Sequence, residues 1–524
     1  ARTAQAVARR PEGTVPPLSF AQERLWFMEQ FAPGTAAYNI PVARRLRGPL
    51  DLPALRRALD AVVARHETLR TRYPATDDGR PVLEIAEPAP FDLRTADAED
   101  EAHAARLVDE LGALPFDLVT GPLMHGLLVR LAADDRVLLL VVHHSVSDGW
   151  SSEVLVSEVL RGYTAYAAGG ADPLPELPVQ YGDFALWQRE RLTGGRLEEE
   201  VAYWARELAD VRPLELPTDR PRPERQTFEG AGYGFDIDGE LLERLTALGK
   251  AQGATVHMVL LAAFQVVLSR FAGQRDFAVG SPVAGRPEPE LEGLIGMFVN
   301  VLALRARLDG DPAFTELVGR TRETCLEAYA HQELPFAQLV SELNVERDVT
   351  RSPVFQAVLA IQNYASAADA TAGGELPLEV EPFGLHAAGT RFDLELFLME
   401  GEGGLRGAFN YNTDLFDESS IARIAAHLGR FLRAAADRPD EPVSAHDGLD
   451  PAERHRLLTE WNDTAVESAG PFAFAEASGG GDGTETLTAL IAAQAARTPD
   501  AVAVEFGAGS LTYAELDRAA DRIA

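Results

Sequence analysis

Five polar side chains crowded into six positions, His143, His144, Ser145, Ser147 and Asp148, closed by Gly149, are the part of this sequence best equipped for chemistry. An imidazole can accept, donate or orient a proton near neutral pH. A carboxylate four residues on can hold the turn or pair with a cation, and its blandest role is a helix N-cap. The flanks decide how such groups would be aimed. Residues 137–142 are an unbroken apolar, β-branched run, which predicts a strand buried on both faces. From Ser151 the period changes: Val154, Leu155, Val159, Leu160 and Tyr163 recur at helical spacing. A strand entering a tight polar turn and then a helix fixes a side chain and offers helix-start N–H groups to a polarised oxygen. Neighbouring strand residues face opposite ways, so one histidine packs inward and the other faces a channel. That geometry disfavours a shared metal, because adjacent strand histidines do not converge and no third ligand is near. A buried histidine pair alone is more often structural than catalytic; Asp148, Gly149 and the following helix shift the balance.

At 524 residues the chain has room for two to four domains. It carries 48 basic and 81 acidic residues, a net charge of −33, and that field repels nucleic acid and anionic membrane as general partners. Arginine supplies all the basic residues except Lys250. The single cysteine, Cys325, excludes an internal disulfide framework and fits a reducing compartment. It falls in a helical stretch, 314–329, where a packed thiol is expected. No run of 18 apolar residues and no signal-peptide pattern is present, so a soluble, cytoplasmic protein is expected.

The sequence His143-His144-Ser-Val-Ser-Asp148-Gly149 resembles the HHxxxDG signature of chloramphenicol acetyltransferase-like acyltransferases. Residues 18–31, LSFAQERLWFMEQF, resemble the opening motif of condensation domains of nonribosomal peptide synthetases, in the form that joins an L-donor to an L-acceptor. Ser19 and Gln22 there also form a capping-box pattern. Further stretches are similar to successive motifs of that family: Arg65 to Tyr73, Tyr181 to Trp187, Ile295 to Arg305, His331 to Phe336, and Arg347 to Phe355. Arg65 and Glu67 are read as local ion-pair formers at a helix end. Residues 295–305 read as a glycine-containing strand, and 255–271 as a buried helix. Residues 457–464 resemble the exit linker, and 487–524 resemble the start of an adenylation domain.

The resemblance implies an α/β fold of two acetyltransferase-like lobes, each a mixed sheet with flanking helices, arranged as a V-shaped pseudodimer. The expected organisation is a flexible lead-in from an upstream carrier domain at 1–17, an N-terminal lobe at 18–185 and a C-terminal lobe at 186–450. A linker at 451–485 and an adenylation-domain fragment at 486–524 follow. The proline-rich stretch 213–227 is expected to traverse between lobes. The implied reaction is peptide-bond formation between a donor and an acceptor thioester. Both ride on phosphopantetheine of partner carrier domains, upstream donor and downstream acceptor, because no Gly-Gly pair here is followed by the x-Ser of a carrier. An adjoining adenylation domain is the third implied partner; no covalently bound cofactor and no metal is implied. His144 is the expected central group, positioning or deprotonating the amine, with His143 packed inward. Asp148 would hold the turn with Arg286 as cation partner, and the Gly149 N–H would support the thioester oxygen. Trp150, Ser151, Arg286 and Asn300 are the expected substrate-tunnel residues. Competing readings are an epimerising relative, a coenzyme A-dependent acyltransferase, and a silent platform that recruits tailoring enzymes. The absent EGHGR-like motif, the adenylation-like continuation and the intact second histidine, respectively, count against them.

Overall fold

A computed structural model of the chain describes residues 6–31, 33–343, 348–362, 378–384, 389–401, 403–463, 487–507 and 509–523. Arg347 and residues 464–486, including the Gly-rich part of the expected linker, lie outside the described residues. The chain divides into two compact units, Ala1–Gly448 and Leu449–Ala524.

In the first unit the apolar run becomes the middle of a five-stranded mixed sheet. Its order is Glu379–Pro382, Asn39–Arg47, Asp135–His143, Met124–Ala132, Leu93–Asp97. The central strand is antiparallel to both neighbours, with Asn39 opposite His143. Every residue from Val137 to Val142 is at most 5% exposed. Four helices follow the sequence signals: α1 (Phe20–Phe31), α2 (Leu52–Arg65), α3 (Glu101–Gly112) and α4 (Gly149–Ala167). Leu55, Leu59 and Val62 of α2 and Leu155, Val159 and Tyr163 of α4 share one core with the strand. Each apolar face thus closes over the sheet, at about 25 cal/mol per Å² of apolar surface removed from water.

The second half builds a six-stranded mixed sheet. Its order is Gly230–Asp238, Gly404–Asn412, Leu394–Gly401, Ala357–Gln362, Asp276–Val283, Asn300–Arg307. The helix expected at 255–271 spans Val256–Ala272, is capped by Thr255, and is buried without a break from Met258 to Leu268. Both halves therefore have the expected α/β character, mixed sheets with flanking helices.

Several expectations change. Glu379–Pro382 comes from the second half yet pairs antiparallel with Arg44–Arg47 on the edge of the first sheet. Residues 295–299 precede the strand that begins at Asn300. The N–H groups of Ile295, Gly296, Phe298 and Val299 are taken by side chains, so no ladder forms there. Arg65 and Glu67 do not pair locally: Arg65 reaches Glu158 of α4 at 3.0 Å, and Glu67 accepts from Arg10 at 2.6 Å. Among the described residues, the stretch 213–227 hydrogen-bonds to the second half, through Gln356, Leu415 and Val349 among others. The described part of the lead-in is seated, with Val7 only 6% exposed.

The second unit holds helix Pro451–Leu458 and a hairpin of Val502–Phe506 and Gly509–Thr512 that leads into helix Tyr513–Asp521. Thr512 and Glu515 cap that last helix reciprocally. No residue of these two helices is buried.

Candidate functional site

The turn is set by the register of the central strand and by the start of α4. His143, the last strand residue, is 1% exposed and packs beside Tyr38 and Phe116. The Ser145 N–H donates to its Nδ1 at 3.2 Å, and the Ser145 hydroxyl lies 2.8 Å from the same nitrogen. His144 turns the other way. Its N–H donates to the Tyr38 carbonyl at 2.8 Å, and its Nδ1 lies 2.9 Å from the Ser147 carbonyl. A carbonyl can only accept, so Nδ1 carries the proton and Nε2 keeps its lone pair, without a hydrogen-bond partner among the described residues. The His144 ring lines a cavity of about 1320 Å³ whose walls include Arg24 and Met28 from the first half and Phe336 and Arg391 from the second. His143 is not part of that lining.

Burial, with the charge of His144, pushes His143 down to about 3. Burial, then the charges of Arg391 and Arg24, push His144 down to about 3 against the hydrogen bond to Ser147. Both imidazoles are therefore neutral at physiological pH.

Asp148 caps α4 and also grips the other half. Its Oδ1 accepts from the Ser151 N–H at 2.8 Å, and its Oδ2 accepts from the N–H groups of Phe298 at 2.9 Å and Val299 at 3.1 Å. Arg286 sits 3.4 Å from Asp148, both side chains 2% exposed. Arg286 also donates to Ser151 Oγ at 2.8 Å and to the carbonyls of Leu291 and Leu294, and lies 3.9 Å over the Phe298 ring. Ser151 Oγ donates to the Gly296 carbonyl and accepts the Gly296 N–H at 3.0 Å. These bonds, with Ile295 N–H to His66 Nδ1, are what occupies residues 295–299 in place of a ladder.

The expected tunnel residues separate into two groups. Trp150, Arg286 and Asn300 border the cavity together with His144, Asp148 and Gly149. Ser151 does not; it is fully buried in the junction just described, which removes it from the tunnel wall. Asn300 is at the wall, but its amide is spent on backbone. It donates to the carbonyls of Gln332 and Leu334 and accepts from the N–H groups of Val301 and Phe336. It shapes the loop 332–336 and has little left for a ligand.

Residues outside the central turn complete the support. Gln22 of α1 donates to the Tyr73 hydroxyl at 2.8 Å and to the Ser145 carbonyl at 3.3 Å, and Tyr73 donates to that carbonyl as well. Tyr181 opens α5 (Tyr181–Arg191), donates to the Met297 carbonyl at 2.7 Å and meets Ser19 Oγ at 2.8 Å. A Cβ at Gly296 would stand 2.0 Å from Tyr181 Cδ2, so only glycine lets this ring close on the loop. The capping-box spacing from Ser19 marks Gln22 in the sequence, and the two do cap each other, the Ser19 N–H donating to Gln22 Oε1 at 3.0 Å; nothing in the spacing points to Tyr73 or Ser145 as its further partners. Cys325 is buried and its thiol is pushed up to about 12 by desolvation, which fits an unreactive packed side chain.

A family model described as "Condensation domain" matches residues 12–458. Over 518 residues the chain is 43% identical to a linear gramicidin synthase protein of Brevibacillus parabrevis, an alignment covering 97% of this chain and 10% of that protein. It thus spans about a tenth of the length of that relative. The X-domain from teicoplanin biosynthesis has a TM-score of 0.77 at 28% identity, over 85% of this chain and 100% of that one. The first condensation domain of the calcium-dependent antibiotic synthetase, solved with a substrate analogue, has a TM-score of 0.71 at 25% identity, over 84% and 100%. Among the described residues no single helix is long and apolar enough to cross a bilayer.

Proposed function

The chain belongs to the condensation-domain family, and on that premise we propose that it forms an amide bond between two thioester-bound substrates of a nonribosomal peptide synthetase. The amine of an acceptor aminoacyl thioester attacks the donor carbonyl carbon. A C–N bond forms, the donor C–S bond breaks, and the proton lost by the amine ends on the departing thiolate. The lengthened product stays on the acceptor carrier and the donor carrier keeps a free thiol. What carries this reading is His144: its tautomer is fixed by Ser147, and the ring lines a cavity walled by both halves.

In this reading His144 Nε2 accepts a hydrogen bond from the acceptor amine and aims its lone pair. A free ammonium titrates near ~8, and burial holds this imidazole far below that, so the ring is a poor acceptor for the amine's proton. Orientation, worth roughly 7–11 kcal/mol, is therefore the larger contribution. Gly149, first residue of α4, offers its N–H to the thioester oxygen. His143, Asp148, Arg286 and Ser151 hold the turn. Trp150 and Asn300 shape the wall.

The organisation that goes with this function is the lead-in at 1–17, lobes at 18–185 and 186–450, a linker at 451–485 and an adenylation-domain fragment at 486–524. Its partners are an upstream donor carrier and a downstream acceptor carrier, each bearing substrate on phosphopantetheine, and the adjoining adenylation domain. Its compartment is the cytoplasm, with neither nucleic acid nor membrane as a partner. The test is direct: mix the chain with a loaded donor and a loaded acceptor carrier and weigh the acceptor carrier by mass spectrometry. A mass gain equal to the donor acyl group is expected. No gain across a panel of aminoacyl groups sinks the reading and leaves the recruiting platform.

The depressed imidazole also fixes a pH dependence. Below its ordinary value near ~6.5 His144 stays neutral, down to about 3. The rate should therefore climb with deprotonation of the amine, near ~7.7–8.0. An acid limb near pH ~6.5 that disappears on replacing His144 would contradict this assignment.

A further inference from the structure

The segment ahead of α1 is built as a latch. The Val7 N–H donates to Glu290 Oε1 at 3.1 Å, a contact between the start of the chain and the second half. The Val7 side chain is buried with Leu177, Val179, Phe184, Leu294 and Phe298. Arg10 donates from Nη1 to Asp183 at 2.7 Å and from Nη2 to Glu67 at 2.6 Å, and its N–H reaches Asp183 Oδ1 at 3.2 Å. Asp183 is fully buried and the Arg10 side chain only 12% exposed. The seat is acidic and apolar, and it takes a short basic, apolar strand of chain.

The seat also touches the catalytic turn at one remove. Phe298, which packs in the Val7 cluster, donates its N–H to Asp148. Asp183 accepts the Gln180 N–H in the cap of α5, whose first residue, Tyr181, holds the Met297 carbonyl. We infer that residues 7–10 are a positioning latch: by bridging Glu67, Asp183 and Glu290 they hold the 295–299 loop against Asp148, and so keep the turn that carries His144 in its working place. The inference rests on the condensation reading for its kinetic consequence, but not for its structural one.

Two measurements on the full chain test it, with Arg10→Ala and Arg10→Lys. In hydrogen exchange, the amides of Val7, Arg10, Phe298 and Val299 should be protected in the wild type. In Arg10→Ala all four should exchange faster, while strand Leu394–Gly401 is unchanged. In the carrier assay, kcat should fall roughly 10- to 100-fold, as for a displacement of about 1 Å, with KM for both carriers unchanged. Arg10→Lys, which keeps one ion pair, should recover part of kcat. Phe298 and Val299 exchanging alike in wild type and Arg10→Ala would overturn the latch. So would a rise in KM alone, which would mark the segment as a mere tether. A wild type that makes no product defeats the condensation reading by itself, and the exchange data then decide the latch separately.

Discussion

Alanine at His144 should slow amide formation in single turnover by roughly 10²-fold, as for a misplaced reacting group, while leaving both carriers able to bind. The change removes a neutral lone pair on a ring that the fold fixes at the cavity wall. It also frees the Ser147 carbonyl, so a thermal unfolding curve must accompany the rate to show that the turn survives. The loss should be incomplete. Bringing the two thioesters together is a property of the whole cleft, and that part of the acceleration remains when the ring is gone. Donors with reactive carbonyls should retain the most activity. Unchanged turnover with both carriers loaded would take His144 out of the reaction.

Asp148→Ala should be the most damaging substitution to the fold of the junction. It strips the acceptor from two buried N–H groups, those of Ser151 and Phe298, and from the part-buried N–H of Val299, and takes away the carboxylate beside Arg286. Breaking a buried pair by removing one partner costs about 3–5 kcal/mol, and each orphaned buried N–H adds about 1–3. The urea midpoint should fall clearly, and amide formation with it. Asp148→Asn keeps one accepting oxygen and should fall in between. A midpoint indistinguishable from wild type would show that the contact between the halves does not depend on this carboxylate.

What can be read from the residues alone follows the reach of each rule. The continuous apolar run at 137–142 and the helical spacing after Ser151 are local, and the strand and α4 are found where they point. Alternation along a strand is local too, and the two imidazoles do look in different directions. The fold class rests on motifs in order, and both sheets are present. Rules of spacing fail where partners lie far apart. Nothing at 148 says that its second oxygen will hold residues 150 positions on. Arg65 and Glu67 read as neighbours' partners because helical spacing offers only near ones, whereas the structure gives them Glu158 and Arg10. Ile295 to Val299 looks like strand by composition. Its N–H groups are instead claimed by His66, Ser151 and Asp148.

The strand Glu379–Pro382 bears on how this molecule can be recombined. It is donated by the later half and completes the rim of the earlier sheet beside Asn39–Arg47. A chimera that splices the front half of one such protein to the back half of another therefore inherits a foreign border strand. If its side chains do not match, the row of amides on 44–47 is left unsheltered and invites self-association. A graft boundary should keep residues 379–382 with the sheet they complete, not with the sequence on either side of them.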